Sequence, residues 1–269
     1  MGDPGEVKWK VATLCGWKRR WAQLARIFLV AVAVLLGAVV GSCLTVLAWR
    51  IAESAQAANR SSPNRLRSFL SDVPVMRLLR RRNVIAGNSP GVAVRPPILE
   101  LVTAALFGVM ALKFGLSWVL AAYLYLAAMA VVLTVVDLQH QRLPNAIVIP
   151  SGGAGVLLLA IGALGEGSWS SLLRAVVGAG ILFLVFLLLA VVSPAGIGMG
   201  DVKLAAVLGL FLGYLGWYPL IWGAAGSFVV SALVAVALLL VKKVHRGTLL
   251  PFGPFMLATA VAVVLIFAR

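Results

Sequence analysis

Long uncharged apolar runs constrain this chain more than any other feature. They cover 27–49, 114–136, 146–165, 175–192 and 250–268, and none of them contains Asp, Glu, Lys or Arg. A helix of about 20 apolar residues crosses the roughly 30 Å hydrocarbon core of a bilayer while satisfying its own backbone hydrogen bonds. With 62% hydrophobic and only 12% charged residues, the chain is predicted to be an all-α, polytopic membrane protein.

Two further regions bring the predicted number of transmembrane helices to about eight. Residues 98–112 form a short span bounded by Glu100 and Lys113, which must tilt or be shielded by its neighbours. The uncharged run 204–241 is too long for one helix, and Gly216, Pro219 and Gly223 within it predict a turn between two spans.

Charge divides the chain into four parts. A basic N-terminal segment (1–26) precedes the first transmembrane helix (27–49), and a long basic loop (50–97) precedes a membrane-embedded region (98–269). Of the 23 Lys and Arg residues, fourteen fall on the side of the loop and nine on the other side. The positive-inside rule therefore predicts a cytoplasmic loop, although the basic N-terminus opposes this orientation. Because the net charge of +15 lies in connecting segments, a nucleic-acid partner is not expected.

Asp137 and Asp201 each lie at the end of an apolar run, where an ionised carboxylate is costly without a purpose. Two clear spans separate them, so both are predicted to emerge at the same face of the membrane. Two neighbouring carboxyl groups share a proton, and one can then act as a base on water while the other polarises a carbonyl. This arrangement indicates an aspartic peptidase that needs no metal.

The residues alone leave two alternatives open. Asp201 follows Gly198, Met199 and Gly200 and precedes an apolar run, so it would also make a reasonable helix N-cap. Intramembrane carboxylates also mark the proton relays of transporters, in which broken helices are common. The glycines around Asp201, including Gly198 and Gly200, permit a sharp turn or a close approach by another chain, which would suit an extended peptide beside Asp201.

The motifs around both aspartates resemble those of the type IV prepilin peptidases. The GxGD motif of that family is similar to Gly198-Met199-Gly200-Asp201, and its first-aspartate segment is similar to the stretch that begins at Asp137 and ends Leu143-Pro144-Asn145. Further similar segments follow in the family's order: Gly41-Ser42-Cys43-Leu44-Thr45-Val46, Asp72-Val73-Pro74-Val75, Arg95-Pro96-Pro97-Ile98-Leu99-Glu100-Leu101 and Pro251-Phe252-Gly253-Pro254-Phe255.

The resemblance implies an enzyme of the bacterial inner membrane that removes the basic leader of type IV prepilins and pseudopilins on the cytoplasmic side. Asp137 and Asp201 then take the two catalytic roles. Many members also methylate the new N-terminus with S-adenosylmethionine, and that activity stays open here. Members often carry two CxxC pairs in the loop, whereas residues 50–97 contain no Cys, so zinc is not expected. A noncatalytic partner in pilus assembly is the remaining alternative, and the intact aspartates argue against it.

The functions of the other candidate residues are less specifically predicted. Lys203 either biases the charge of the aspartate pair and contacts substrate, or anchors the helix at the interface. His140 is read as an interfacial residue, since no third metal ligand accompanies it and Asp137. Glu100 either neutralises loop arginines or serves a second activity, and Gly253 is read as a bend without chemistry of its own.

Overall fold

The computed structural model describes residues 23–43, 96–140, 145–192, 197–240 and 251–268. Within these ranges the chain forms eight helices. They are α1 (Gln23–Cys43), α2 (Pro96–Phe114), α3 (Leu120–His140), α4 (Asn145–Glu166), α5 (Trp169–Val192), α6 (Met199–Leu215), α7 (Trp217–Leu240) and α8 (Gly253–Phe267).

The all-α, polytopic prediction is confirmed. Five of the helices, α1, α3, α4, α5 and α7, are long and apolar enough to cross a membrane, and α8 is a shorter apolar helix of 15 residues. No strand occurs in the part of the chain that the structure describes. Residues 50–95 of the loop predicted over 50–97 and most of the N-terminal segment lie outside the described residues. Pro96 and Pro97 already belong to α2, and Gln23 to Arg26 already belong to α1.

The predicted start of the second clear span is wrong. Phe114 is the last residue of α2, and the next helix begins only at Leu120. Gly115 ends α2 with a φ of 57°, a left-handed conformation that residues with a Cβ adopt rarely. Its backbone N–H donates to the carbonyl of Ala111 at 2.9 Å. Helix α3 runs from Leu120 to His140, so Asp137 lies inside a helix rather than at its exit.

Two other boundaries also differ from the sequence prediction. The helix predicted from residue 175 begins at Trp169, so Arg174 lies within α5 rather than in a loop. Between α6 and α7 the break falls at Gly216 alone. Pro219 lies in the first turn of α7, where a missing N–H has no cost, and Gly223 is inside that helix.

Helix α6 runs antiparallel to α3 and α5, because Phe211 near its end contacts Tyr123 near the start of α3 and Gly213 contacts Arg174 near the start of α5. The end of α4 lies beside the turn that precedes α3, since Gly165 faces Trp118.

The turns after α2, α4 and α6 lie on one face of the bundle, here called the far face. Asp137 near the end of α3 and Asp201 at the start of α6 lie on the opposite face, here called the aspartate face. Exposed aromatic side chains stand at the far-face turns, as expected at a membrane–water interface: Trp118, Trp169, Trp217 and Tyr218.

Helix α6 forms the centre of the bundle. It packs against α4, α5, α7 and α8, while α8 also packs against α3. Most of its residues from Val202 to Tyr214 are buried. Glycines allow the closest approach, because Gly209 of α6 and Gly178 of α5 bring the two backbones into direct contact. Helix α6, which carries Asp201 in its first turn, is therefore enclosed by four other helices.

Candidate active site

Asp137 is buried in the last two turns of α3. Its side chain is only 5% exposed, and its Oδ2 has no hydrogen-bond partner among the described residues. Buried polar atoms are nearly always paired in folded proteins, and exceptions often mark functional sites. Helix α3 continues past Asp137 to His140. The carboxyl group of Asp137 therefore lies within the helix and not at a helix end in open solvent.

Asp201 occupies the third position of α6, not the N-cap that the sequence allowed. Gly198 is the N-cap, and its carbonyl accepts the backbone N–H of Asp201 at 3.0 Å. The Asp201 carboxylate in turn interacts with the backbone of Gly198, as an acidic residue does in the returning half of a capping box. The side chain is half-buried and lies just before the apolar stretch of α6 that begins at Leu204.

The two aspartates are electrostatically coupled. The pKa of Asp201 is raised from 3.8 to about 6, first by burial and second by the negative charge of Asp137, while the hydrogen bond from the Gly198 backbone lowers it. A carboxylate has this effect on another only at short range in a poorly solvated site. The structure therefore brings together the two acids that the sequence placed on one face.

The other predicted site residues lie along the first turns of α6. Gly198 is exposed, Gly200 is half-exposed, and Lys203 is half-buried two residues beyond Asp201. Met199, between the two glycines, is exposed. Gly198 and Gly200 are thus accessible on the aspartate face and have no side chain there. An extended chain can approach them closely.

Gly253 belongs to this site, contrary to the prediction that it has no chemistry of its own. It is buried at the first position of α8, and its backbone forms a hydrogen-bond interaction with the carboxyl group of Asp137. The preceding Phe252 packs against Phe186 and Phe228, with ring centroids 6.1 and 5.2 Å away. This aromatic cluster fixes where α8 begins and hence where the Gly253 amide lies.

Glu100 has its hydrogen-bond partner outside the aspartate pair. Glu100 is near the start of α2 and accepts a hydrogen bond from the hydroxyl of Ser42 at 2.9 Å, so it joins α1 to α2. His140 is the last residue of α3, but its side chain is outside the described residues. Within the described ranges, no three His, Cys, Asp or Glu side chains are grouped to hold a metal ion.

Comparisons with known proteins agree with this arrangement. The sequence pattern of the type IV leader peptidase family matches residues 124–268, which include both aspartates. A "Prepilin leader peptidase/N-methyltransferase" of Stutzerimonas stutzeri is 32% identical over 189 residues, 69% of this chain and 63% of its own length. A protein of the same name from Burkholderia pseudomallei (strain 1026b) is 32% identical over 272 residues, 86% of this chain and 84% of its own.

The similarity to several of these relatives is partial. The chain spans 63% of the length of the proteins from Stutzerimonas stutzeri and from Pseudomonas aeruginosa, the second of which is 31% identical over 186 residues. No solved structure matches the chain. The family match nevertheless covers more than half of the chain and contains both coupled acids, so the protein belongs to the type IV leader peptidase family.

Proposed function

We propose that this protein is a membrane aspartic endopeptidase that removes the basic leader of type IV prepilins or pseudopilins. The coupling of Asp137 and Asp201 at one face of the bundle is the observation that supports it most directly. Membership of the leader peptidase family supports the substrate class.

The two acids divide the work of peptide hydrolysis. Asp137, whose carboxyl group interacts with the Gly253 backbone, accepts a proton from a water molecule as the water oxygen attacks the scissile carbonyl carbon. Asp201, whose pKa is about 6, retains a proton closer to neutral pH than an ordinary carboxyl group and donates it to the carbonyl oxygen. The C–N bond of the resulting gem-diol then breaks: the leaving amine takes up the proton held by Asp137, and one gem-diol hydroxyl returns its proton to Asp201 as the new carboxyl group forms.

The glycines at the start of α6 suit an extended substrate. Gly198 and Gly200 leave room beside Asp201 for the backbone of a leader peptide. Lys203 is close enough in sequence to influence the charge of the site. We assign these residues to the substrate-facing loop, without a part in the proton transfers.

Location and the second activity are parts of the same proposal. The protein is an integral protein of the bacterial inner membrane, and its aspartate face is the cytoplasmic one because the arginine-rich loop 50–97 enters α2 at that face. Methylation of the new N-terminus with S-adenosylmethionine is proposed on the relatives' names alone. Among the described residues, no group is recognisable as a binding site for S-adenosylmethionine.

The decisive experiment uses the full chain in proteoliposomes with a recombinant type IV prepilin. Asp137→Asn and Asp201→Asn should each reduce leader cleavage by at least about a hundredfold, while Glu166→Gln, at an exposed acid that ends α4 on the far face, should leave it unchanged. Cleavage at the wild-type rate by either dyad variant would disprove the assignment. Proton flux without peptide hydrolysis would indicate a transporter, and prepilin binding without cleavage a noncatalytic partner.

The methyl-transfer part is tested separately. Labelled S-adenosylmethionine is added with the prepilin, and the cleaved product is isolated. Label at the new N-terminus is expected if the second activity is present, and its absence would restrict the protein to peptidase activity.

A further inference from the structure

Tyr123 joins the two aspartate-bearing helices at their far-face ends. It belongs to α3, and its hydroxyl donates to the backbone carbonyl of Phe211 in α6 at 3.0 Å. The two rings also meet edge-on, with centroids 6.1 Å apart. Tyr123 is 0% exposed, and its ring also stacks on that of Phe114 with centroids 4.3 Å apart. A tyrosine buried in an apolar bundle needs such a partner for its hydroxyl.

The Tyr123–Phe211 hydrogen bond lies near the far-face ends of α3 and α6, and the aspartate pair lies near their opposite ends. Helices α3 and α6 run in opposite directions and share α4 and α8 as neighbours. Tyr123 precedes Asp137 by 14 residues, and Phe211 follows Asp201 by 10. At 1.5 Å per residue these intervals are roughly 21 and 15 Å. A displacement of α6 along its axis at Phe211 therefore moves Asp201 by nearly the same amount, because a helix is stiff along its axis.

Arg174 of α5 holds the same end of α6 from another side. Its Nε donates to the carbonyl of Gly213 at 2.8 Å, and one terminal nitrogen donates to the carbonyl of Tyr214 at 2.7 Å. The last carbonyls of a helix have no partner within the helix, so these bonds satisfy groups that would otherwise be left unpaired in the bundle. The hydroxyl of Tyr214 is itself bonded to that of Ser168 at 2.7 Å.

We propose that Tyr123 is a positioning residue for the aspartate pair: its bond to Phe211 fixes the axial position of α6 relative to α3 and so sets the separation of the Asp137 and Asp201 carboxyl groups. The inference rests on the proposed peptidase function for its kinetic consequences. The predicted effect of Tyr123 on the relative position of α3 and α6 does not depend on that function. Tyr123 touches no reacting atom and acts only through the two helices.

Tyr123→Phe tests the proposal with the loss of one oxygen atom. In proteoliposomes with a recombinant type IV prepilin, kcat should fall roughly tenfold because proton transfer and attack depend steeply on sub-ångström placement. KM should stay unchanged, since none of the residues at the start of α6 that would contact a substrate is replaced. The basic limb of the pH–rate profile should move to lower pH, because carboxyl groups held farther apart raise each other's pKa less.

Matched variants separate positioning from general stability. Tyr125→Phe makes the same chemical change two residues along α3, on a different side of the helix, and should leave kcat and the pH profile at wild-type values. Arg174→Lys cannot reach two carbonyls with one planar group. It should reproduce the lower kcat, unchanged KM and shifted profile if anchoring of α6 is the cause.

A distance measurement tests the geometry without any activity. Spin labels are placed at Leu138→Cys and Met199→Cys, both exposed and beside the aspartates, after Cys15 and Cys43 are replaced by Ser. Tyr123→Phe should broaden and shift the distance distribution between the labels, whereas Tyr125→Phe should not.

The outcomes keep the two proposals apart. If the wild-type chain fails to cleave a prepilin, the proposed function fails, and the label distances still decide the role of Tyr123. If Tyr123→Phe and Arg174→Lys cleave with wild-type kcat and pH profile, and the distances are unchanged, the positioning role is refuted while the peptidase assignment stands.

Discussion

Gly178 of α5 and Gly209 of α6 meet so closely that a Cβ on Gly209 would lie 2.7 Å from the carbonyl oxygen of Gly178. Real Cβ atoms do not approach backbone oxygens to this distance, and neither backbone is free to yield within the bundle. Gly209→Ala should therefore lower the free energy of unfolding by about 1–3 kcal/mol through overpacking. Thermal unfolding of the purified protein in detergent measures this loss.

Gly180 provides the control for that experiment. It lies in α5 two residues beyond Gly178, and a Cβ there would meet nothing within 4 Å. Gly180→Ala should raise stability by about 0.5–1 kcal/mol, because alanine restricts the unfolded chain more than glycine does. Equal destabilisation by the two variants would show that helix packing at Gly209 is not the cause.

The charge of Asp137 should be visible in the titration of Asp201. Asp137→Asn removes a like charge, so the pKa of Asp201 should fall below its value of about 6. It should stop short of the ordinary 3.8, because burial is the larger cause and remains. Between the two midpoints Asp201 is then protonated in the wild-type protein and ionised in the variant.

Infrared spectroscopy can follow this titration. The C=O absorption of the protonated carboxylic acid is recorded against pH and assigned by its loss in Asp201→Asn. A midpoint that does not move in Asp137→Asn would mean that the two carboxyl groups do not interact.

The backbone N–H of Gly253 can be removed without changing the net charge. Gly253→Pro deletes the donor, and proline is tolerated at the first position of a helix. Gly253→Ala adds a side chain but keeps the donor. Cleavage by the proline variant should be roughly tenfold slower than cleavage by the alanine variant, because Asp137 loses the interaction with this amide. Equal rates for the two variants would exclude the amide from the mechanism.

The hydroxyl of Ser42 and the carboxylate of Glu100 tie α1 to α2, so their replacement should affect stability rather than cleavage. Ser42→Ala should lower the free energy of unfolding by about 1 kcal/mol, while Cys43→Ser beside it should have little effect because Cys43 is exposed. Glu100→Gln retains an acceptor oxygen and should be milder than Glu100→Leu. Loss of leader cleavage in Glu100→Gln would instead give this acid a direct part in the reaction.

Sequence periodicity and charge were sufficient to predict the helices but not all of their ends. Uncharged runs identified the position of each described helix, because a bilayer imposes length and composition directly. The start of α3 was misplaced because Phe114 and Leu116 are as apolar as a span, and only the backbone conformation of Gly115 separates the two helices. A single residue with a left-handed backbone conformation does not show in the hydropathy of the sequence.

The candidate site was predictable to the extent that it depends on rare residue types. Asp137 and Asp201 stand out because acids are scarce in apolar sequence, and parity of the spans placed them on one face. Gly253, Tyr123 and Arg174 were missed for a shared reason. Gly253 interacts through its own backbone, and the side chains of Tyr123 and Arg174 donate hydrogen bonds to backbone carbonyls. Backbone groups are the same in every residue, so a sequence motif does not reveal them as partners. The Pro251-to-Pro254 segment was the only available signal for Gly253.

The burial of Asp137 has a consequence for substrate choice. A residue that is 5% exposed offers little surface to a peptide that only diffuses past the bundle. If the proposed hydrolysis takes place at this pair, we expect the substrate to approach along the exposed start of α6, where Gly198 and Met199 lie. Discrimination against the many soluble peptides of a cell would thus come from access, before any side-chain pocket reads a sequence.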